Sequence, residues 1–291
     1  EKLGITTPGI SVISELNSII GTCDILVTGS DQVWRPSDHF GLDPTYYLGF
    51  PFSVSARRVS YAPSFGTDTL IPSVRDSVSK LLDDIDYISV RETSGKDIVG
   101  SLTGKVPVVV PDPTFLADNF DGILEEYPGT TNDAYVFSYV LRSADGISST
   151  AQIVADTLGL ALLSPHNPHR RWKKIGSTVY PSPGQWLWLL KNSRCVVTNS
   201  FHGVALSVLL QKDFIYVPLQ GDKSEFNSRA LNLLHSVGLP NRIADDLSSI
   251  NIRRMIYEPI DWSSVTEKVE GLRVIGKDFL KSALSGSDEL F

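Results

Sequence analysis

The sequence contains little cysteine and no excess of positive charge. Only 2 of its 291 residues are cysteines, Cys23 and Cys195, and they lie far apart in the chain. They do not form the disulfide framework of a small secreted domain, and we expect two buried thiols in a reducing, cytoplasmic compartment. The 26 Lys and Arg against 33 Asp and Glu leave a net charge of −7. This balance argues against nucleic-acid binding, which needs a basic surface.

Long apolar runs and several well-known motifs are also missing. No apolar segment approaches the roughly 20 residues of a membrane-spanning helix, and the first residues lack the basic-then-apolar pattern of a signal peptide. We therefore expect at most a peripheral contact with the inner face of a membrane. The sequence has no G-x-G-x-x-G, P-loop or G-x-S-x-G motif, which disfavours dinucleotide oxidoreductases, P-loop kinases and serine hydrolases.

The sequence instead contains short apolar segments that alternate with amphipathic ones. Hydrophobic residues make up 42% of the chain. Strand-like runs such as Ile25-Leu26-Val27 and Tyr87-Ile88-Ser89-Val90 are followed by stretches in which apolar residues recur at helical spacing. This rhythm predicts an α/β fold with mainly parallel sheets and helices on both faces.

Two domains are expected, because the chain exceeds the size at which a single core usually divides. The rhythm breaks at residues 117–132, where Asp, Asn, Gly, Pro and Thr dominate. We therefore predict Rossmann-like domains at residues 1–125 and 126–265. Residues 266–291 are predicted to hold most of a long C-terminal helix, interrupted near its two glycines, that packs back on the first domain.

Five polar loops follow the ends of predicted strands. In open parallel sheets, ligands bind outside the carboxyl ends of the strands, so these loops are candidates for a binding edge. A scaffold alone would not require polar residues at all five places. The loops are Gly29-Ser30-Asp31-Gln32, Pro63-Ser64-Phe65-Gly66, Arg91-Glu92, Asp112-Pro113-Thr114 and Asn199-Ser200-Phe201-His202-Gly203.

The first two loops admit a structural and a functional interpretation. Ser30 and Asp31 suit either a capped turn or a substrate contact at a strand end. Trp34, shortly after them, offers a stacking surface for a sugar ring. Ser64 fits an ordinary turn, and it gains weight as a site residue only from lying at the same edge as the other loops.

Arg91 directly follows a predicted strand. Its guanidinium is suited to fork two hydrogen bonds onto a carboxylate or a phosphate. The alternative is an ion pair with Glu92 or Asp112, since many such arginines are structural. An acidic protein that binds a small anion must supply local cations, and Arg91 lies where one is needed. Asp31 and Asp112 are weaker candidates for a general base or for contacts to the hydroxyl groups of a substrate.

The loop after the strand at residues 195–198 opens a helix near Ser200. A helix N-terminus attracts anions through its N–H groups and its positive dipole end. His202 lies in the first turn, where an imidazole is suited to proton transfer near neutral pH. A lone histidine is more often structural, but the position at a predicted ligand edge favours binding or catalysis.

Two further groups of basic residues are candidates. Lys223 and Arg229 flank a polar loop and either are solvated surface charges or complete an anion pocket. His166, His169 and Arg170 belong to a basic, aromatic loop that suits acceptor binding. The two histidines lack an obvious third ligand, so no metal site is predicted.

Six motifs in this sequence resemble those of the polysaccharide pyruvyl transferase family. They share the family's order and spacing over roughly residues 20–245. Each motif is weak by itself, and the resemblance rests on all of them together. The motifs are Asp24-Ile25-Leu26-Val27-Thr28-Gly29-Ser30-Asp31-Gln32-Val33-Trp34, Tyr61-Ala62-Pro63-Ser64-Phe65-Gly66, Ile88-Ser89-Val90-Arg91-Glu92, Val110-Pro111-Asp112-Pro113-Thr114-Phe115-Leu116, Val196-Val197-Thr198-Asn199-Ser200-Phe201-His202-Gly203 and Asn227-Ser228-Arg229.

The resemblance implies two Rossmann-like domains facing across a cleft, as in GT-B glycosyltransferases. It implies transfer of a pyruvyl group from phosphoenolpyruvate, a co-substrate, to two hydroxyls of a sugar, with a cyclic ketal as product and no cofactor. Such sugars belong to bacterial capsules, exopolysaccharides or cell-wall polymers and are often lipid-linked. A GT-B-like glycosyltransferase that uses a nucleotide sugar stays the alternative, and the oligomeric state is left open.

The resemblance also assigns residues. The family's functional arginine and histidine fall on Arg91 and His202, and we expect His202 to act as the general acid. Relatives open with a strand and a Gly/Asn-rich loop that have no clear counterpart here. Phosphoenolpyruvate is expected at Arg91, Ser200, Phe201, His202, Lys223 and Arg229. The acceptor is expected at Ser30, Asp31, Gln32, Trp34, Ser64, Asp112, Asn199, His166 and Arg170.

Overall fold

The structure is a computed structural model in which two compact units are distinguished. The first unit comprises the described residues up to Val110 together with those from Asp278 onward, and the second comprises the described part of Pro111–Lys277. Side chains of residues 222, 223 and 225 are outside the description. The described residues are 20, 23–36, 41–50, 55–126, 133–141, 146–167 and 175–286.

The described part of the first unit contains a parallel sheet in the order β1-β2-β3-β4. Successive strands along the chain are neighbours in the sheet, which a β-α-β rhythm with short crossovers produces. All the strands therefore end at one edge, from which the loops carrying Asp31, Ser64 and Arg91 emerge. The strands are β1 (Ile25–Thr28), β2 (Arg57–Ser60), β3 (Tyr87–Val90) and β4 (Val108–Val109).

Two helices of the first unit, α1 (Pro72–Asp83) and α2 (Thr93–Thr103), follow β2 and β3. Helix α1 begins with proline at its first position, where the missing N–H is not needed. It buries Val78 and Leu82, which share one face at i,i+4 spacing. Helix α2 ends at Gly104, which adopts the left-handed conformation typical of a helix C-terminus.

The second unit, as described, has a parallel sheet in the order β7-β6-β5-β8-β9. Its central strand, β5, lies between β6 and β8, and this change of direction in the strand order is where ligands bind in open α/β sheets. The strands are β5 (Tyr135–Tyr139), β6 (Ala161–Pro165), β7 (Ser177–Val179), β8 (Cys195–Thr198) and β9 (Phe214–Tyr216).

Both faces of this second sheet are buried. Phe137 and Val196 point to one apolar cluster, and their sequence neighbours Val136 and Val197 point to another on the opposite face. Alternation of this kind follows from the two-residue period of a strand. Helices cover both clusters, which explains why the strands read as continuous apolar runs.

The described residues of the second unit include seven α-helices. None of the helices in the described residues is both long and apolar enough to span a bilayer. The helices are α3 (Asp121–Glu126), α4 (Ile147–Leu158), α5 (Pro183–Asn192), α6 (Phe201–Leu209), α7 (Ser228–Ser236), α8 (Ser249–Tyr257) and α9 (Trp262–Ser285), the last of which continues into residues of the first unit.

The compact units divide earlier than the composition of residues 117–132 suggests. The division lies after Val110, because the segment that follows packs within the second unit. Phe115 is fully buried in its core. Arg273 Nε of α9 donates to the carbonyl oxygen of Phe115 at 2.7 Å. Asp112, expected in the first domain, therefore belongs to the second unit.

Helix α9 corrects a second expectation. It runs without a break through Gly271 and Gly276, where an interruption is predicted. A glycine costs a helix about 1 kcal/mol relative to alanine, and burial of Val265, Val269 and Phe279 along α9 offsets that cost.

We predict that Cys195 resists alkylation in the native protein. Burial raises the pKa of its thiol to about 12, so the reactive thiolate is about one part in ten thousand at pH 8. Iodoacetamide followed by peptide mass spectrometry should find Cys195 unmodified. Cys23, which is only half-buried, serves as the comparison and should react. Urea should make both reactive, and rapid labelling of native Cys195 would contradict its burial.

Candidate functional site

A group of charged residues lies at the carboxyl edge of the first sheet. Arg91 Nη2 donates to Asp31 Oδ1 at 2.8 Å, and Arg91 Nε lies 3.8 Å from Glu92 Oε2. Ser64 Oγ donates to Glu92 Oε1 at 2.5 Å and accepts from the Gly66 N–H at 3.0 Å. The structure thus brings together three predicted site residues, Asp31, Ser64 and Arg91.

Exposure divides this group into an outer and an inner part. The side chain of Asp31 is 55% exposed, and that of Arg91 only 2%. Arg91 therefore forms an ion pair with Asp31 and lies beside Glu92, which is the structural role stated above as its alternative. Its direct contact with phosphoenolpyruvate stays a prediction. Ser64 is fully buried with its hydroxyl engaged, so the prediction of an acceptor contact at Ser64 is wrong.

Trp34 is a core residue of the first unit. It is fully buried, its ring stacks on Tyr47 with centroids 5.1 Å apart, and its Nε1 donates to the carbonyl oxygen of Tyr46 at 3.0 Å. A ring enclosed in this way offers no face to a sugar, so the predicted stacking surface is wrong. Ser30 and Gln32 are half-buried, and their acceptor contacts stay predictions.

In the second unit, the turn from β8 to α6 is held by hydrogen bonds. Thr198 Oγ1 donates to the carbonyl oxygen of Tyr139 at 2.7 Å and accepts from the Ser200 N–H at 3.0 Å. Ser200 caps α6 by accepting from the Gly203 N–H at 3.4 Å. A Cβ atom on Gly203 would overlap Thr198 Oγ1, so only glycine allows the helix to approach the strand this closely.

His202 lies in the first turn of α6 beside a buried carboxylate. Its Nε2 is 3.8 Å from Asp112 Oδ2, and the side chains are 37% and 1% exposed respectively. The other carboxylate oxygen, Asp112 Oδ1, accepts from the N–H of Thr114 at 3.1 Å and from its Oγ1 at 2.9 Å. Asp112 is thus fixed in place beside the imidazole of His202.

Phe201 and Arg229 lie close to this pair. The Phe201 ring meets the His202 ring edge-on at 5.3 Å, and the guanidinium carbon of Arg229 lies 5.9 Å from the Phe201 ring centroid. Asn227 positions the start of α7, since its Oδ1 accepts from Tyr216 OH at 2.9 Å. Arg229, on α7, is thus connected to His202 through the ring of Phe201, which both side chains contact.

A cavity of about 570 Å³ opens beside His202 in the second unit. Its size is typical of small-molecule sites. Proline, serine and leucine complete its wall at Pro165, Pro181, Ser182, Pro183 and Leu206. Its aromatic and imidazole side chains come from β5, α5 and α6 and from the loops that follow β6 and β7. They are Tyr139, His166, Tyr180, Trp186 and His202.

Contacts between these rings shape the cavity. Trp186 meets Tyr139 edge-on, with ring centroids 4.7 Å apart, and His166 stacks on Tyr180 at 5.0 Å. Burial raises the pKa of the Tyr139 phenol, against a smaller lowering by its hydrogen bond with Ser200. The phenol therefore stays protonated at neutral pH.

The remaining predicted residues divide into three groups. His166 is exposed and lines the cavity together with His202. Asn199 is 7% exposed and its Oδ1 accepts from the Leu141 N–H at 3.1 Å, and its acceptor contact stays a prediction. Arg170 and the side chain of Lys223 lie outside the described residues.

Three residues of the cavity, Tyr139, Tyr180 and Trp186, are not among the predicted site residues. The sequence places Trp186 in an apolar helix, which favours a core interpretation, and Tyr180 carries no local motif. Tyr139 is the last residue of β5, and of the three only Tyr180 lies in a loop that follows a strand. Within the described residues, no three His, Cys, Asp or Glu side chains form a metal-binding group.

Solved structures similar to this chain include three UDP-GlcNAc 2-epimerases. The enzyme from Neisseria meningitidis, bound to UDP-GlcNAc, is 9% identical, with 94% of this chain and 80% of that chain covered and a TM-score of 0.55. The putative enzyme from Listeria monocytogenes is 10% identical (96% and 78% covered, TM-score 0.54). That from Methanocaldococcus jannaschii is 10% identical (92% and 80% covered, TM-score 0.54). At these identities the likeness shows the fold alone, which is a GT-B-like α/β fold with parallel sheets.

The family is identified by the sequence. No curated protein sequence matches the chain significantly. The model of the family described as polysaccharide pyruvyl transferase matches residues 6–220, which is more than half of the chain and includes Asp31, Arg91, Asp112 and His202. The chain therefore belongs to the polysaccharide pyruvyl transferase family.

Proposed function

We propose that this protein transfers the pyruvyl group of phosphoenolpyruvate to two hydroxyls of a sugar, forming a cyclic ketal and releasing phosphate. Family membership supports the transferase activity. The observation that carries the chemistry is the pairing of His202 with the buried carboxylate of Asp112 at the wall of a cavity. An imidazole in that setting is suited to proton donation next to a space for a substrate.

In the proposed reaction, His202 protonates the methylene carbon of phosphoenolpyruvate. The electrons of the C=C bond form the new C–H bond, and the neighbouring carbon becomes electrophilic. One acceptor hydroxyl bonds to that carbon and loses its proton, phosphate leaves with the electron pair of the C–O bond, and the second hydroxyl closes the ring and loses its proton. Asp112 stabilises the imidazolium that begins the sequence.

Phosphoenolpyruvate carries about three negative charges, so its site needs cations. Arg229 is a proposed contact to phosphoenolpyruvate in the second unit. Its guanidinium lies over the ring of Phe201, the residue before His202. Lys223 and Arg91 remain proposed donor contacts, together with the helix start at Ser200. In the first unit, the exposed carboxylate of Asp31 is proposed to contact acceptor hydroxyls.

The proposed acceptor is a sugar of a bacterial capsule, exopolysaccharide or cell-wall polymer, either free or lipid-linked. We propose that the reaction takes place in the cytoplasm, at the inner face of the membrane when the acceptor is lipid-linked. Family membership supports the sugar acceptor.

The alternative activity, glycosyl transfer from a nucleotide sugar, is distinguished by ligand binding. A ligand present at 100 times its Kd adds about 2.7 kcal/mol to the stability of the folded state. We expect phosphoenolpyruvate to raise the melting temperature by a few degrees in differential scanning fluorimetry, and UDP-GlcNAc to leave it unchanged. Stabilisation by UDP-GlcNAc but not by phosphoenolpyruvate would favour the nucleotide-sugar activity instead.

Replacing His202 tests its role as general acid. His202→Ala is expected to lower kcat for phosphate release from phosphoenolpyruvate by about 10²–10⁴-fold, because the proton donor is lost. The far-UV circular dichroism should be unchanged, since the side chain is partly exposed.

The matched control is His235→Ala, at an exposed position on α7 outside the cavity. This variant should keep the wild-type kcat. Wild-type turnover in His202→Ala would remove His202 from the mechanism.

Replacing Arg91 tests its structural role and its proposed contact with phosphoenolpyruvate. Arg91→Ala removes the guanidinium beside the buried Glu92, which should lower the free energy of unfolding by about 3–5 kcal/mol in urea titrations and also weaken phosphoenolpyruvate binding. Arg194→Ala, which breaks an ion pair with Asp213 at the surface, should cost less than about 1 kcal/mol. If Arg91→Ala is as stable as the wild type, the buried pair has no structural role.

A further inference from the structure

The cavity in the second unit has an unusual composition for a donor site. None of the described residues that line it is a Lys, Arg, Asp or Glu, and its only ionisable cations are the imidazoles of His166 and His202. The described part of the wall therefore offers aromatic and imidazole rings to a ligand.

Its walls present aromatic faces. Tyr180 is 77% exposed and is held by stacking on His166, with the ring planes 23° apart. An aromatic residue of such exposure usually lacks a fixed partner, whereas here the stack keeps its ring in one orientation. Aromatic faces carry partial negative charge, which attracts the weakly positive C–H groups on the apolar face of a sugar ring.

We propose that this cavity is the subsite for a pyranose ring of the acceptor, with the ring against Tyr180. This inference rests on the proposed function and deepens it, because it assigns the acceptor ring to the second unit beside His202. The proton donor then lies at the boundary between the saccharide subsite and the cationic donor contacts.

A nucleotide is a less suitable occupant of the same cavity. A diphosphate would require cations, and a ribose is commonly held by a carboxylate. Neither group occurs among the described residues of the wall.

Saturation-transfer NMR tests the subsite without turnover. The probes are the methyl β-glycosides of glucose, galactose and N-acetylglucosamine, each added to the full chain in the absence of phosphoenolpyruvate. We expect at least one glycoside to bind through its ring protons, and Tyr180→Ala to raise its Kd about tenfold or more. Tyr180→Phe should retain binding, because the ring face is kept. Tyr257→Ala, at a tyrosine of similar exposure (69%) on α8, should bind as the wild type does.

Each other outcome overturns the subsite. These outcomes are binding of no glycoside, unchanged affinity in Tyr180→Ala, displacement of the glycoside by phosphoenolpyruvate, and Tyr180-dependent binding of UDP. The proposed function is judged separately by phosphate release. Tyr180-dependent glycoside binding without turnover of phosphoenolpyruvate would overturn the function and leave the subsite intact.

Discussion

The close approach of α6 to β8 is the constraint on which the site in the second unit depends. Gly203 permits it, because any side chain there would overlap the hydroxyl of Thr198. Thr198 uses that same hydroxyl to hold the end of β5 and the N–H of Ser200. The first turn of α6 is thereby fixed at the carboxyl edge of the sheet. His202 consequently lies beside Asp112, and one wall of the cavity is set.

Buried charge imposes a second constraint, in the first unit. A carboxylate as enclosed as Glu92, which is 2% exposed, must be compensated, because desolvation of an isolated charge is costly. Arg91 and Ser64 surround it, and Arg91 then reaches Asp31, which remains in contact with solvent. The protein has a net charge of −7, yet it buries the cation of Arg91, which compensates the carboxylates of Glu92 and Asp31.

Fold and family carry different information about this protein. The similarity to UDP-GlcNAc 2-epimerases at 9–10% identity reports the arrangement of strands and helices, and a shared fold does not imply a shared reaction. The family match spans residues 6–220, a range that includes the strand-end loops carrying Asp31, Arg91 and His202. Chemistry depends on the side chains that those loops present, so the pair His202 and Asp112 distinguishes this protein more than its sheets do.

The sequence by itself determined the α/β class, the parallel sheets, the strand-end loops and the helix start beside His202, because these depend on local periodicity and on residues close in the chain. It did not determine exposure. Trp34 and Ser64 stand in the same kind of strand-end loop as Asp31, yet both are fully buried, since non-local neighbours cover them. The cavity was likewise decided only by tertiary structure, because Tyr139, Tyr180 and Trp186 come from separate parts of the chain, and only the packing of parallel strands brings the ends of those segments together.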